Sequence, residues 1–276
     1  MTLSAEKQAI ETDKQLKKQL VAEVIASHCN DSSQFQDLRF IGQALKEGDE
    51  LIVEILTGGY CNFSYRVFLQ GNPEVQVYAK LSFSWAACDP GANMDPERTV
   101  NEFKMMKTFN GMDPTSVVAP YLCVDIEDMK LLVTQWSSAD EQWANQFIDG
   151  SVDVRIIPKL ASSLARLHCM DFDPNFNNSV KETYLSFFPV QEKFMTDLCD
   201  PETKENSRVS RYAKEIGKDN CEYLCAKASE IFSKGECLAH NDAHVFNILV
   251  EKKPNINTLE EFGPEGKYVL CDWEMA

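Results

Sequence analysis

The spacing of apolar residues divides this chain into a strand-rich front and a helix-rich back. Between Lys14 and Ser27, Leu16, Leu20 and Val24 share one stripe with Val21 and Ile25 beside it, which predicts a helix. Asn30 to Gln34 is a polar break. Leu51 to Leu56 reads as a strand, Thr57 to Asn62 as a turn, and Phe63 to Leu69 as a second strand of alternating character. Gly71-Asn72-Pro73 turns the chain into a third strand, Val75 to Leu81, which carries Lys80 near its end. Ala87 to Asn93 reads as a loop.

A helix is predicted after Asp95, with Asp95 as N-cap and Pro96 at the first helical position. Val100, Phe103, Met106 and Phe109 recur every third residue and supply its expected apolar face. Val117 to Val124 and Lys130 to Gln135 are the next strands, joined by the acidic turn Asp125 to Asp128. From Trp136 the spacing turns helical, and Ile156, Leu160, Leu164 and Leu167 mark one face of a helix that runs to His168. Pro174 to Gly235 is helical in places and rich in charge. Two short strands close the chain, Ile248 to Val250 and Tyr268 to Cys271, with a polar loop from Glu251 to Gly266 that is long for a hairpin. The predicted order is five strands with one inserted helix, then mostly helices, then a short hairpin bearing acids.

A length of 276 residues with 44% hydrophobic content suits two lobes sharing a cleft. The net charge of −16 makes nucleic acid and anionic membranes poor partners, because phosphate recognition needs clustered Lys and Arg. Such acidity keeps a protein soluble, and it also suits a cationic substrate. Ten cysteines are scattered without a C-x-x-C pair, which reads as reduced thiols in a cytoplasmic protein. Cys221 and Cys225 stand at helical spacing but lack a matching His or Cys pair for zinc. The first twenty residues have the pattern of neither a signal nor a transit peptide, and no run approaches the ~20 apolar residues of a membrane span.

The chemistry concentrates near the end of the chain. His240-Asn241-Asp242-Ala243-His244-Val245-Phe246-Asn247 forms an H-x-D-x-x-x-x-N pattern, followed at once by an apolar strand. A second apolar strand ends in Asp272-Trp273-Glu274. An Asp able to take a proton, an Asn able to bind a metal and a further Asp at a strand end are what ATP-dependent phosphoryl transfer requires.

This order of elements and motifs resembles the protein-kinase-like superfamily, and within it the aminoglycoside phosphotransferase, choline kinase and methylthioribose kinase group. The resemblance runs from about Leu51 to the C-terminus. It implies a bilobal α+β fold: an N-terminal lobe, residues 1–135, with an antiparallel sheet and inserted helix, and a mostly helical C-terminal lobe, residues 136–276. It also implies a small-molecule kinase that uses ATP and Mg2+ and phosphorylates a hydroxyl of an aminoalcohol, an aminoglycoside or a sugar such as methylthioribose.

By this resemblance Asp242 is the catalytic base and His240 braces its loop. Asn247 and Asp272 would hold magnesium, a cation that prefers hard oxygen ligands. Glu274 would bind a second metal or hold the loop. Lys80, in Val77-Tyr78-Ala79-Lys80, corresponds to the lysine that meets the α- and β-phosphates, with Glu102 its expected ion-pair partner and Glu97 the alternative. Gly58 and Gly59 match the phosphate-covering turn loosely, and Asn62 would stabilise that turn. His244 stands where the small-molecule group often carries His. Leu131 to Trp136 falls where the family joins its lobes, and Trp136 and Trp143 are read as buried or as stacking platforms.

The sequence departs from the protein-kinase pattern in three places. Asn241 replaces the Arg that follows the motif His, no A-P-E segment follows Asp272, and the glycine turn lacks the full G-x-G-x-x-G. These absences favour a small-molecule acceptor. Relatives continue with further helices past the position of Ala276, so the C-terminal lobe is expected to be truncated. That expectation motivates the alternative class, a non-catalytic nucleotide-binding module.

Overall fold

A computed structural model describes residues 3–30, 38–57, 61–87, 89–139, 141–171, 192–193, 196–197, 199, 208–234, 237–251 and 266–275. The fold mixes α-helices with a five-stranded antiparallel sheet. Two compact units are present: Met1–Ala165 with His240–Ala276, and Arg166–Ala239. All the site residues described below belong to the first.

The sheet runs β1 (Leu51–Ile55), β2 (Phe63–Leu69), β3 (Gln76–Ser82), β7 (Met129–Gln135) and β6 (Pro120–Ile126), every neighbouring pair antiparallel. In β2, Phe63, Tyr65, Val67 and Leu69 are buried and the residues between them half-buried, the period-two signature of a sheet with one face in a core. That face packs under α1 (Leu3–Asn30), whose Val21 and Ile25 are fully buried, and under α2 (Arg39–Lys46), whose Ile41 joins the same core. The predicted first helix is thus longer than its apolar stripe, and α2 lies in a stretch for which no element was predicted.

Just after β3 the predicted loop is a small hairpin, β4 (Trp85–Ala86) with β5 (Asp89–Asn93). Phe83 stacks on Trp85 with ring centroids 4.5 Å apart, and Phe63 meets both rings edge-on. Aromatic packing therefore sustains a hairpin in a segment whose Pro, Gly and Asp read as loop.

Helix α3 (Glu97–Met112) starts as predicted to within a residue, and Asp95 Oδ1 accepts from the Glu97 N–H at 2.9 Å, satisfying one of the donors left open at a helix start. Its buried face differs from the every-third-residue pattern. Arg98, Thr99, Asn101, Glu102, Met105, Met106 and Phe109 are buried, whereas Val100 and Phe103 are only half-buried. The helix has turned polar residues inward, and the reason lies in the site.

Beyond the sheet come β8 (Glu141–Gln142), α4 (Trp143–Ile148) and α5 (Ile156–His168). The short strands β9 (Ile248–Val250) and β10 (Tyr268–Leu270) pair antiparallel, and β8 adds to the free side of β9. Trp143 is buried with its ring 5.2 Å from that of Phe147, while Trp136 is half-buried under the Arg66 guanidinium. In the second unit, α6 (Arg208–Ile216) and α7 (Lys218–Lys234) meet at Gly217, whose φ of +83° suits a residue without Cβ.

Candidate active site

Lys80 projects from β3 into a pocket of carboxylates. Its Nζ lies 2.8 Å from Glu102, 2.6 Å from Asp272 and 3.0 Å from Glu274, and its side chain is only 5% exposed. Glu102 is thus the partner supplied by α3, while Glu97 pairs with Lys130 at 2.8 Å on the outside. Burial opposes the charge on Lys80, but Asp272, Glu102 and Glu274 outweigh it and hold the ammonium pKa well above its ordinary value. Burial also works against ionised Asp272, and Lys80 reverses that, so its carboxyl is held below the usual range. Glu102 is pushed upward, first by burial and then, against the pull of Lys80, by the neighbouring negative charges of Asp272 and Glu274.

Asp272 has φ of +63°, in the left-handed region that Asn and Asp visit more readily than other residues carrying a Cβ. Such a conformation costs on the order of 1 kcal/mol and persists only where neighbours fix it. Here the next residue is fixed twice: the Trp273 N–H donates to Glu102 Oε1 at 3.2 Å, and the fully buried Trp273 indole donates to the Leu270 carbonyl at 3.0 Å.

The motif loop, residues 240–247, is tied to the same turn. One His240 ring nitrogen, Nε2, lies 3.0 Å from the Cys271 carbonyl, and the ring sits 4.5 Å from that of Trp273. The Cys271 N–H donates to the Asn247 carbonyl at 3.0 Å. Burial drives the His240 pKa down to about 4, so the imidazole is neutral near pH 7 and donates from Nε2 to that carbonyl. Asn241 has φ of +60°, a conformation that Asn tolerates well.

The Asn247 amide nitrogen donates to Asp242 Oδ2 at 2.8 Å and to the Asp242 carbonyl at 3.1 Å. With the amide N–H groups committed to Asp242, the oxygen of Asn247 is the atom left for a cation. His244 Nδ1 accepts from the Phe246 N–H at 3.2 Å, which leaves Nε2 as the ring N–H, 3.5 Å from Asp242 Oδ1. Partial burial raises the Asp242 pKa; His244 and the Asn247 hydrogen bond pull it down, while the charges of Asp272 and Glu274 push it further up.

Asp272 and Asn247 carry hard oxygen donors of the kind magnesium prefers, and carboxylate oxygens of Glu102, Asp272 and Glu274 lie within 4.8 Å of one another around the Lys80 ammonium. Asp272 and Asn247 would hold the ion; its contribution when bound would be to neutralise charge on phosphate oxygens.

The structure brings together Lys80, Glu102, Asn62, Asp272 and Glu274 in one cluster, and Asp242, Asn247 and His240 in a loop bonded to the end of β10. Gly58 and Gly59 lie outside the described residues. One buried participant carried no sequence signal. Arg98 donates from Nη2 to Asn62 Oδ1 at 2.8 Å, from Nε to Glu274 Oε2 at 3.3 Å, and from Nη1 to the carbonyls of Asp95 and Phe83 at 2.8 and 3.1 Å. In sequence it is a charged residue in a helix first turn, which normally faces solvent; its partners Asn62 and Glu274 are 36 and 176 residues away.

No protein-family model matches the chain, and no curated protein matches it. Among solved structures, a protein from Haemophilus somnus 129PT described as a candidate fructosamine-3-kinase aligns with 84% of this chain and 70% of its own, at 15% identity and a TM-score of 0.38. So distant a likeness carries no argument about fold or chemistry, and any functional reading rests on the geometry of the site.

Proposed function

We propose that this protein transfers the γ-phosphate of ATP to a hydroxyl of a small molecule, an aminoalcohol, an aminoglycoside or a sugar such as methylthioribose. On this reading the chain has the bilobal protein-kinase-like fold, with lobes over residues 1–135 and 136–276. The observation that carries the reading is the joining of two distant motifs: Lys80 is ion-paired to both Glu102 and Asp272, and the Asp242–Asn247 loop is hydrogen-bonded to Cys271, the residue before Asp272.

Glu102 holds the Lys80 ammonium at the end of β3, where it would meet the α- and β-phosphates. Asp272 and Asn247 are the residues for magnesium. Asp242 orients the acceptor hydroxyl and takes its proton as the oxygen–phosphorus bond forms, and its raised pKa makes it a better base than an ordinary carboxylate. Asn247, donating to Asp242, keeps that carboxylate aimed. His240, neutral and buried, fixes the loop that carries both. The net charge of −16 favours approach of a cationic acceptor. Cytoplasmic residence belongs to the same proposal; among the described residues no helix is long and apolar enough to cross a membrane.

The test is a screen of alcohols, aminoalcohols and sugars for ADP release from Mg-ATP, run beside Asp242→Asn. General-base loss should lower turnover by about 10²- to 10⁴-fold while Mg-ATP binding is kept. Equal turnover in the variant would remove Asp242 from the mechanism. Mg-ATP binding without transfer to any acceptor would favour the non-catalytic module.

A further inference from the structure

Arg98 and Glu102 stand one helical turn apart on the inward face of α3, with opposite charges. Each grips the turn that follows β10. Glu102 takes the Trp273 N–H and Lys80, and Arg98 takes Glu274. Glu274 Oε2 accepts from Arg98 Nε and from Asn62 Nδ2 at 3.0 Å, and it is ion-paired to Lys80 Nζ at 3.0 Å. Asn62 in turn accepts from Arg98, so its amide is oriented by the guanidinium on one side and the carboxylate on the other. Asn62 immediately precedes β2.

The placing of Arg98 is costly. A cation in a helix first turn faces the positive end of the helix dipole, and Arg98 is also only 5% exposed. A carboxylate, an amide and two backbone carbonyls compensate it. The planar fork suits this task, because its donors point to several acceptors at fixed angles.

We infer that Arg98 is a positioning residue: it fixes the Asp272–Glu274 turn and Asn62, at the entry to β2, against α3, so that the ion-binding turn and β2 keep one register. The inference rests on the phosphotransferase reading for its catalytic consequence, but the clamp itself is a matter of geometry. It acts through Glu274 and Asn62 and touches no reacting atom.

The experiment compares wild type with Arg98→Met, Arg98→Lys and Arg98→Met/Glu274→Gln. Hydrogen exchange is read on the peptide spanning 268–275 and, as control, on β2 and β3; kcat and KM for Mg-ATP are read with the best acceptor from the screen. Arg98→Met should speed exchange in 268–275 by about tenfold or more while the sheet stays protected. Its kcat should fall about 10²-fold with KM for Mg-ATP nearly unchanged, as expected when reacting groups are misplaced rather than removed. Arg98→Lys should recover only part of this, because an ammonium cannot serve all four partners. The double variant should lose no more than Arg98→Met alone if Arg98 acts through Glu274. Unchanged exchange and kcat would overturn the inference, and so would deprotection of the whole sheet with no split between kcat and KM. If wild type transfers no phosphate to any acceptor, the phosphotransferase reading fails separately, and the exchange pattern alone decides whether Arg98 holds the turn.

Discussion

Two acidic segments meet in the site, and they are built in opposite ways. At the Asp272–Glu274 turn, carboxylates are held by buried cations: the side chains of Lys80 and Arg98 are 5% and 6% exposed, those of Glu102 and Glu274 4% and 5%, and that of Asp272 35%. At the motif loop, Asp242 is 39% exposed and His244 50%, and the contacts that hold Asp242 are a neighbouring amide and an imidazole. The first arrangement is a rigid frame in which removing one charge strands another in low dielectric. The second leaves a carboxylate accessible to an incoming hydroxyl, and its position is fixed from behind by His240 and Asn247. On the proposed phosphotransferase reading, the frame would set stability and nucleotide geometry, and the loop would meet the acceptor.

The frame should break hardest at Lys80. Lys80→Met removes the ammonium shared by three carboxylates, and loss of one partner from a buried ion cluster costs about 3–5 kcal/mol. Urea unfolding should show that loss, and Lys80→Met/Glu102→Gln should recover part of it by removing one stranded charge. A Lys80→Met protein as stable as wild type would mean that the cluster is solvated and the contrast between frame and loop is false.

The next effect in size comes from the brace behind the loop. Folding lowers the His240 pKa from 6.5 to about 4, so between those values the unfolded chain binds a proton that the folded chain refuses. The contribution of His240 to stability is complete above pH 6.5 and falls as pH drops through this window, by about 3 kcal/mol in all. Unfolding measured from pH 7 to pH 4.5 should show the decline, and His240→Gln should flatten it. A slope shared equally by wild type and variant would place the titration elsewhere.

Much of this contrast could be read from the sequence, and the rest could not, for identifiable reasons. In the main sheet β2 alternates strictly and has the bounds that Phe63 to Leu69 predicted. Lys80, Glu102, Asp242, Asn247 and Asp272 were singled out by resemblance to a kinase pattern; the structure shows Lys80 ion-paired to Glu102 and Asp272, and the chemical roles of all five belong to the proposal. Arg98 escaped because its meaning lies in contacts 36 and 176 residues away, and local pattern assigns a first-turn Arg to solvent. The same polar inward face misled the reading of α3, where Val100 and Phe103 were expected inside and Arg98, Asn101 and Glu102 took their place. The β4–β5 hairpin escaped because rings from Phe63, Phe83 and Trp85 hold a segment whose own residues favour a loop.

The central claim is that Lys80 and Asp272 form one site for magnesium and a nucleotide. Calorimetric titration of Mg-ATP into wild type and Asp272→Asn tests it most directly. The account predicts saturable binding by wild type that depends on magnesium, and binding weakened in Asp272→Asn while ATP without magnesium distinguishes the two proteins much less. Equal Mg-ATP affinity in both proteins, or none in either, would contradict it.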